Sequence, residues 1–138
     1  MGEDVYTLEI SLGYQHRGIE KMLRGGPDKK TLHVMETVAG DTSTASAGAY
    51  CRILEALDPE SRVSARSEAI RAIAWELERI ANHIGDLGAL AGDVAYLPTA
   101  SYCGRIRGEF LNMTATICGN RFGRGLIVPG GVGCDIEM

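Results

Sequence analysis

The strongest constraint on the fold is a long apolar stripe between Arg66 and Ala91. Apolar residues recur there at intervals of three and four positions, which is the spacing of one face of an α-helix. The stripe covers about seven helical turns. Because a stripe of this length must be buried against partners of similar length, the sequence predicts a helical bundle. The apolar positions are Ile70, Ile73, Ala74, Leu77, Ile80, Ala81, Ile84, Leu87 and Ala91.

A second long helix is predicted from Thr99 to Phe122. Its small residues Gly104, Gly108 and Ala115 are expected to let it approach the first long helix closely. The glycine-rich segment that follows predicts an extended tail with turns.

The first sixty residues predict shorter elements. The segment VYTLEISLGY alternates with a period of two and predicts a β-strand, whereas HRGIEKMLRGGP predicts a short helix closed by its glycines. Asp28 is expected to cap the next helix, which the polar run Gly40–Ser46 interrupts before a further helix reaches Leu57. The predicted fold is mainly α, a helical bundle with two long helices and a short N-terminal β-strand element, in a single domain over residues 1–138.

Composition excludes several classes of function. The chain has 138 residues, of which 45% are hydrophobic and 23% charged, as is typical of a globular domain. Its net charge of −4 provides no basic surface for nucleic-acid phosphates. No apolar run approaches the roughly 20 residues that cross a bilayer, and no signal-peptide pattern opens the chain. We therefore expect a location in the cytoplasm or on the cytoplasmic face of a larger assembly.

The cysteines and histidines do not predict a metal site. The four cysteines, at positions 51, 103, 118 and 134, lack C-x-x-C spacing, and the three histidines are scattered. Cys51 and Cys118 lie in helical apolar patterns and are expected to be buried free thiols.

The polar side of the first long helix allows two interpretations. Glu76 and Arg79, like His83 and Asp86, are spaced to pair on one helix face. They form either a solvated surface with weak ion pairs or a buried polar seam with shifted pKa values. Asp93 equally fits a turn that ends the helix. Arg71 and Asn82 share this polar side.

The motif GYQHRGIEK places His16, Arg17 and Glu20 within one helical turn, between Gly13 and Gly18. The glycines allow a second backbone or a cofactor to come close. The alternative is the first turn of an ordinary helix with charges at the surface.

Three stretches in order resemble the N-terminal half of one superfamily. They are GYQHRGIEK, ELERIANHIGDLGALAGD and GNRFGRGLIVPGGVGCDI. The superfamily contains the 49-kDa subunit of NADH–quinone oxidoreductase (complex I). It also contains the large subunit of membrane-bound nickel–iron hydrogenases, including the formate hydrogenlyase type. The resemblance extends from Leu8 to Ile136 and implies the mainly helical fold of these large subunits.

The resemblance also implies a lost metal centre. In the hydrogenases, the segment that matches Glu36–Ser43 reads E-R-x-C-G-x-C-S, and its two cysteines bind nickel and iron. Here Ala39 and Thr42 take the cysteine positions, Thr37 the arginine position, and Ser46 that of a following histidine. A methyl group and a hydroxyl cannot replace thiolate ligands. We therefore expect no metal ligand in this chain and no nickel–iron centre.

The match to the complex I branch is also incomplete. A tyrosine that holds the quinone head group in that branch corresponds to Gly40, and a histidine near the neighbouring cluster corresponds to Gly123. By resemblance, Arg17 lies near the cluster of the partner subunit, Glu20 passes protons, and Asp93 lies behind the quinone pocket.

The resemblance thus implies two sets of functional residues. Catalytic roles are expected for Glu20, Glu76, His83 and Asp93, and cofactor binding for Arg17, Gly18, Gly40 and Arg79.

The implied function is that of a fragment of the large subunit of a membrane-associated oxidoreductase complex, with electron and proton transfer to quinone. The implied partners are an iron–sulfur small subunit with a 4Fe–4S cluster and membrane subunits, at the inner face of the cell membrane. The fragment alone is expected to be inactive. The alternative is a non-catalytic scaffold that kept the fold without its metal site.

Overall fold

A computed structural model describes residues 4–136, and within them the chain forms five α-helices and one two-stranded sheet. In the sheet, the strands pair antiparallel with Ile127 opposite Val132. The fold is mainly helical, as predicted. The elements are α1 (Ile19–Met22), α2 (Thr31–Met35), α3 (Ser43–Leu57), α4 (Ala65–Asp93), α5 (Leu97–Cys118), β1 (Ile127–Val128) and β2 (Gly131–Val132).

Both long helices are confirmed, with ends that local chemistry explains. The Ser64 side chain caps α4 by accepting a hydrogen bond from the backbone N–H of Ser67 at 3.1 Å. Gly119, at φ 74°, ends α5 in the left-handed conformation. Ala95, at φ 59°, lies in the short connection and lets the chain reverse so that α5 packs on α4. The two helices therefore form a hairpin.

The close approach between α4 and α5 depends on different glycines from those predicted. A Cβ atom on Gly88 would lie 3.0 Å from Cys103 Cβ, and one on Gly85 would lie 3.0 Å from Arg107 Nε. Gly104 was expected to make this contact, but no atom in the described range comes within 4 Å of a Cβ placed there. The prediction was wrong because both helices carry small residues. The sequence alone does not show which of these residues lie on the face where α4 and α5 meet.

The hydrophobic core lies at one end of the molecule. It is formed where α3 crosses the first half of α4 and where the β1–β2 hairpin covers both. We call α3, residues 65–79 and the β1–β2 hairpin the packed end. Its buried residues are Ala47, Cys51, Ile70, Ala74, Leu126 and Ile127.

The opposite end of the α4–α5 hairpin exposes large apolar side chains. Leu87 belongs to the predicted apolar stripe and Leu90 lies next to it, yet their side chains are 60% and 63% exposed. We call residues 85–105 the outer end. Its other exposed apolar residues are Val94, Tyr96, Leu97 and Tyr102.

The predicted N-terminal strand is absent from the described residues. Residues 5–12 have no regular secondary structure, and their apolar side chains on both alternating faces are exposed. An alternating pattern shows which face would be buried in a sheet, but a strand also needs a neighbour for its backbone hydrogen bonds. The sheet that does form lies at Ile127–Val132 instead.

Two further expectations concern cysteines and membranes. All four cysteines lie within the described range as free thiols; Cys51 is buried and Cys118 half-buried. Burial raises the pKa of Cys51 to about 11. None of the helices between residues 4 and 136 combines the length and apolarity needed to cross a bilayer.

Candidate functional site

The N-terminus of α3 is capped by a carboxylate from another helix. Glu78 of α4 accepts hydrogen bonds from the backbone N–H groups of Thr44 at 2.7 Å and of Ala45 at 3.0 Å. The Thr42 hydroxyl, at the N-cap position, instead lies 3.3 Å from Ser46 Oγ. A carboxylate is favourable here because the first N–H groups of a helix are free and the helix dipole attracts negative charge. Glu78 thus fixes the start of α3 against α4.

Two side chains of α4, two helical turns apart, hold the segment 37–42, which we call the small-residue loop, and the first turn of α3 that follows it. Asn82 donates a hydrogen bond from Nδ2 to the backbone oxygen of Asp41 at 2.7 Å. Trp75 donates from Nε1 to the backbone oxygen of Thr44, just beyond the loop, at 3.2 Å. One face of α4 therefore positions both the loop and the first turn of α3.

The donor atoms of the small-residue loop do not fit a nickel–iron centre. Ala39 offers only a methyl group, and the Thr42 hydroxyl is already paired with Ser46. Neither side chain can supply the thiolate that a soft metal requires. The interactions around this loop are instead hydrogen bonds of the kind that hold a fold together.

A cleft of about 560 Å³ lies between α3 and the polar side of α4, and we call it the α3–α4 cleft. Arg79 and His83 line it, and Trp75 forms part of its wall. The Arg52 guanidinium lies 4.6 Å from the centre of the Trp75 ring, a cation–π contact. Gly48 is required opposite this ring, because a Cβ there would lie 2.7 Å from Trp75 Cζ2. The cleft thus combines an aromatic wall with cationic groups.

The predicted buried seam is not formed by Glu76 and Arg79. Their charged groups are 3.3 Å apart, but each side chain is 59% exposed. His83 and Asp86 are also exposed. Because all four side chains are exposed, they form a solvated surface in this chain, which was the alternative interpretation. An exposed ion pair contributes about 0–1 kcal/mol to the free energy of unfolding.

The buried charge on α4 is Arg71, which is fully enclosed in the packed end. Its guanidinium bonds to Glu55 at 2.6 and 3.0 Å and to Glu68 at 3.3 Å. It also donates to the backbone oxygens of Val128 at 2.8 Å and Gly131 at 3.0 Å. The hydrogen bond from Arg71 lowers the pKa of Glu55, and the same contact raises the pKa of Arg71. Arg71 therefore joins α3, α4 and the β1–β2 hairpin.

The H-R-G motif forms a separate groove of about 460 Å³, which we call the H-R-G groove. Arg17 donates from Nη2 to the backbone oxygen of Val38 at 2.9 Å, which fastens the motif to the small-residue loop. His16 accepts at Nδ1 from the backbone N–H of Gly18 at 2.9 Å, and Gly18 adopts φ 69° to make this turn. Glu20 lines the same groove, with apolar Ile19, Leu23 and Met35.

The predicted site residues are distributed over several places. Arg79 and His83 line the α3–α4 cleft with Glu76 beside them, whereas Asp93 ends α4 about 15 Å beyond His83 along the helix axis. Gly40 lines a small cavity below the small-residue loop. Arg17, Gly18 and Glu20 belong to the H-R-G groove.

Sequence reasoning missed the two carboxylates that organise this region. Glu78 was passed over in favour of its neighbour Glu76, although Glu78 falls on the helix face of Trp75 and Asn82. Glu36 is only 3% exposed and accepts a hydrogen bond from the backbone N–H of Gly125 at 2.6 Å. The available signal for Glu78 was its spacing of three and four residues from the other two side chains.

Comparison with known proteins finds similar subunits in a NADH-quinone oxidoreductase and in a membrane-bound hydrogenase. A subunit of the NADH-quinone oxidoreductase of Campylobacter curvus is 33% identical over 135 residues, which are 98% of this chain and 33% of that subunit. The same subunit of Campylobacter concisus is 32% identical over the same shares of the two chains. The alpha subunit of the membrane-bound hydrogenase of Pyrococcus furiosus is 28% identical over 98% of this chain and 31% of its own length.

These similarities confirm the resemblance found through the three motifs, and both branches of the superfamily are represented. The chain spans about a third of the length of the curated relatives it matches. No family model matches the chain, and no solved structure gives a significant match.

Proposed function

We propose that the chain is a segment of the large subunit of a membrane-associated oxidoreductase complex that couples electron transfer to proton transfer. The observation that carries this proposal is similarity along 98% of the chain both to a NADH-quinone oxidoreductase subunit and to a membrane-bound hydrogenase subunit. In this proposal the partners are an iron–sulfur small subunit with a 4Fe–4S cluster and membrane subunits. The segment then lies at the cytoplasmic face of the membrane, and activity belongs to the whole complex.

The H-R-G groove has the chemistry for this role. Because His16 accepts a hydrogen bond at Nδ1, its neutral ring carries a proton on Nε2, which is a donor. Arg17 adds a cation, and the aliphatic wall suits the ring of a quinone. When bound, a quinone accepts electrons and protons. Glu20 lines the groove and is exposed, so its carboxyl group lies between the groove and solvent, the position that a proton-transfer role requires.

The second candidate is a non-catalytic scaffold. It is favoured by the small-residue loop, where the resemblance implies that Ala39 and Thr42 replace metal ligands, and where the Thr42 hydroxyl lies against Ser46. A scaffold needs the buried contacts of Glu36 and Glu78, but it does not need the exposed carboxylate of Glu20.

The experiment that separates the two candidates uses the assembled complex and the variant Glu20→Gln. The amide keeps the size of the side chain but cannot exchange a proton. For a proton-transfer role we expect quinone- or ferredoxin-linked activity to fall by about 100-fold or more across the pH range. Glu60→Gln is the control, since Glu60 is exposed in the turn after α3, away from the groove. Wild-type activity of Glu20→Gln at every pH would favour the scaffold.

A further inference from the structure

A small cavity of about 20 Å³ lies where α3 begins, between α4 and α5. About 10 to 15 Å³ is enough to hold one water molecule, so the volume corresponds to a single water and excludes larger ligands. Its walls combine apolar and polar groups. They include Thr44, Glu78, Ala81, Asn82, Leu111 and Thr114.

One wall residue has a hydroxyl group that requires a partner. Thr44 is 1% exposed, and its Oγ1 makes no hydrogen bond to any residue in the described range. A buried hydroxyl without a partner is costly, and such groups in native proteins are usually satisfied by protein or water. The Thr44 methyl group packs so closely on Gly123 that a Cβ there would lie 2.3 Å from Cγ2. The methyl group of Thr44 therefore faces Gly123, and the hydroxyl lies on another side of the side chain.

The same cavity offers further hydrogen-bonding groups. Glu78 uses one lone pair on each carboxylate oxygen for the N–H groups of Thr44 and Ala45, and a carboxylate has about four such sites. Thr114 donates its hydroxyl to the backbone oxygen of Phe110 at 3.3 Å and can still accept. A buried water commonly makes two to four hydrogen bonds, which these groups together provide.

We propose that this cavity binds one internal water molecule, held by the Thr44 hydroxyl and the Glu78 carboxylate. Asp41, Arg107 and Arg121 line the cavity as well, so its charges balance, and the free acceptor sites of Glu78 favour a small molecule that donates hydrogen bonds. Glu78 also lines the α3–α4 cleft, so the water and the carboxylate form a polar connection between the cavity and that cleft. This site is independent of the proposed function.

The test counts long-lived internal waters in the 138-residue chain by magnetic relaxation dispersion of ¹⁷O and ²H. Thr44→Val keeps the shape of the side chain but removes the hydroxyl, so we expect one long-lived water fewer and a melting temperature lower by about 3 to 6 °C. Thr44→Ser keeps the hydroxyl and should retain the water. It is the matched control for loss of the methyl contact with Gly123.

An unchanged water count in Thr44→Val would overturn the proposal, and so would equal loss of the water in Thr44→Ser. If the valine variant does not fold, a high-resolution crystal structure of the wild-type protein provides the answer. Density for a water within hydrogen-bonding distance of Thr44 Oγ1 supports the site, and a dry cavity rejects it.

Discussion

The packed end and the outer end of the molecule use the same long helix in opposite ways. In the packed end, α4 buries Ile70 and even a charged side chain, Arg71. In the outer end, the same helix leaves Leu87 and Leu90 largely in solvent. The amphipathic stripe is continuous in sequence, but only its first half has α3 and the β1–β2 hairpin to cover it.

This difference shows that burial follows tertiary partners rather than hydrophobicity. Arg71 is enclosed because two carboxylates and two backbone oxygens satisfy its guanidinium. A buried charge is tolerated only with such pairing. Apolar residues without a covering element stay exposed however regular their spacing.

The largest expected effect is that of Arg71→Met. Methionine fills a similar volume but leaves the backbone oxygens of Val128 and Gly131 without their donor. It also removes the cation paired with Glu55, which keeps only the N–H group of Gly130. We expect the free energy of unfolding to fall by about 3 to 5 kcal/mol, measured by urea denaturation. The control is Arg79→Met, which removes an exposed ion pair and should change stability by less than about 1 kcal/mol. If the two substitutions lowered the free energy of unfolding equally, the buried charge of Arg71 would be no more important for stability than the exposed charge of Arg79.

A smaller effect is expected at Gly123, where α3 meets the turn after α5. Both Gly123 and Gly119 have positive φ, so alanine at either position is strained by about 1 to 2 kcal/mol. At Gly123 the new Cβ would also lie 2.3 Å from Thr44 Cγ2, whereas at Gly119 no atom of residues 4–136 is within 4 Å. We expect Gly123→Ala to cost about 1 to 3 kcal/mol more than Gly119→Ala in thermal unfolding. An equal loss of stability in Gly123→Ala and Gly119→Ala would mean that the packed end tolerates the extra methyl group.

The smallest effect concerns the outer end and has the opposite sign. Gly104 lies inside α5 with open space around it, so Gly104→Ala should stabilise the chain by about 0.5 to 1 kcal/mol through helix propensity. Gly88→Ala is the matched comparison, because its Cβ would lie 3.0 Å from Cys103 Cβ and should offset that gain. A destabilised Gly104→Ala, read from the melting curve, would show that this glycine does contact α4.

Much of the fold was predictable from local pattern. The period of about 3.6 residues identified α4 and α5. The run Gly40–Ser46 was expected to interrupt the helices, but α3 already begins within it, at Ser43. Contacts between elements were not predictable in the same way. The N-terminal segment has the alternation of a strand, yet no strand lies beside it within the described range, so the prediction there was wrong.

The candidate site was predictable only in part, because its organising contacts join distant segments. The H-R-G motif identified Arg17, but nothing near it indicates that its guanidinium reaches the backbone of Val38. Likewise, Glu78 looks like a surface residue until α3 is placed against it. The functional roles expected for Glu20 and Asp93 stay predictions.

The hydrogen bond between Glu36 and Gly125 has a consequence for how the chain folds. It joins residues 89 positions apart, and the bonds from Arg71 to Val128 and Gly131 span 57 and 60 positions. Closing such long loops costs chain entropy before any contact offsets it, whereas the α4–α5 hairpin forms from neighbouring segments. We therefore expect the hairpin to form early and the packed end to close last. In pulsed hydrogen exchange during refolding, the backbone amide of Gly125 should accordingly gain protection after the amides of α4 and α5.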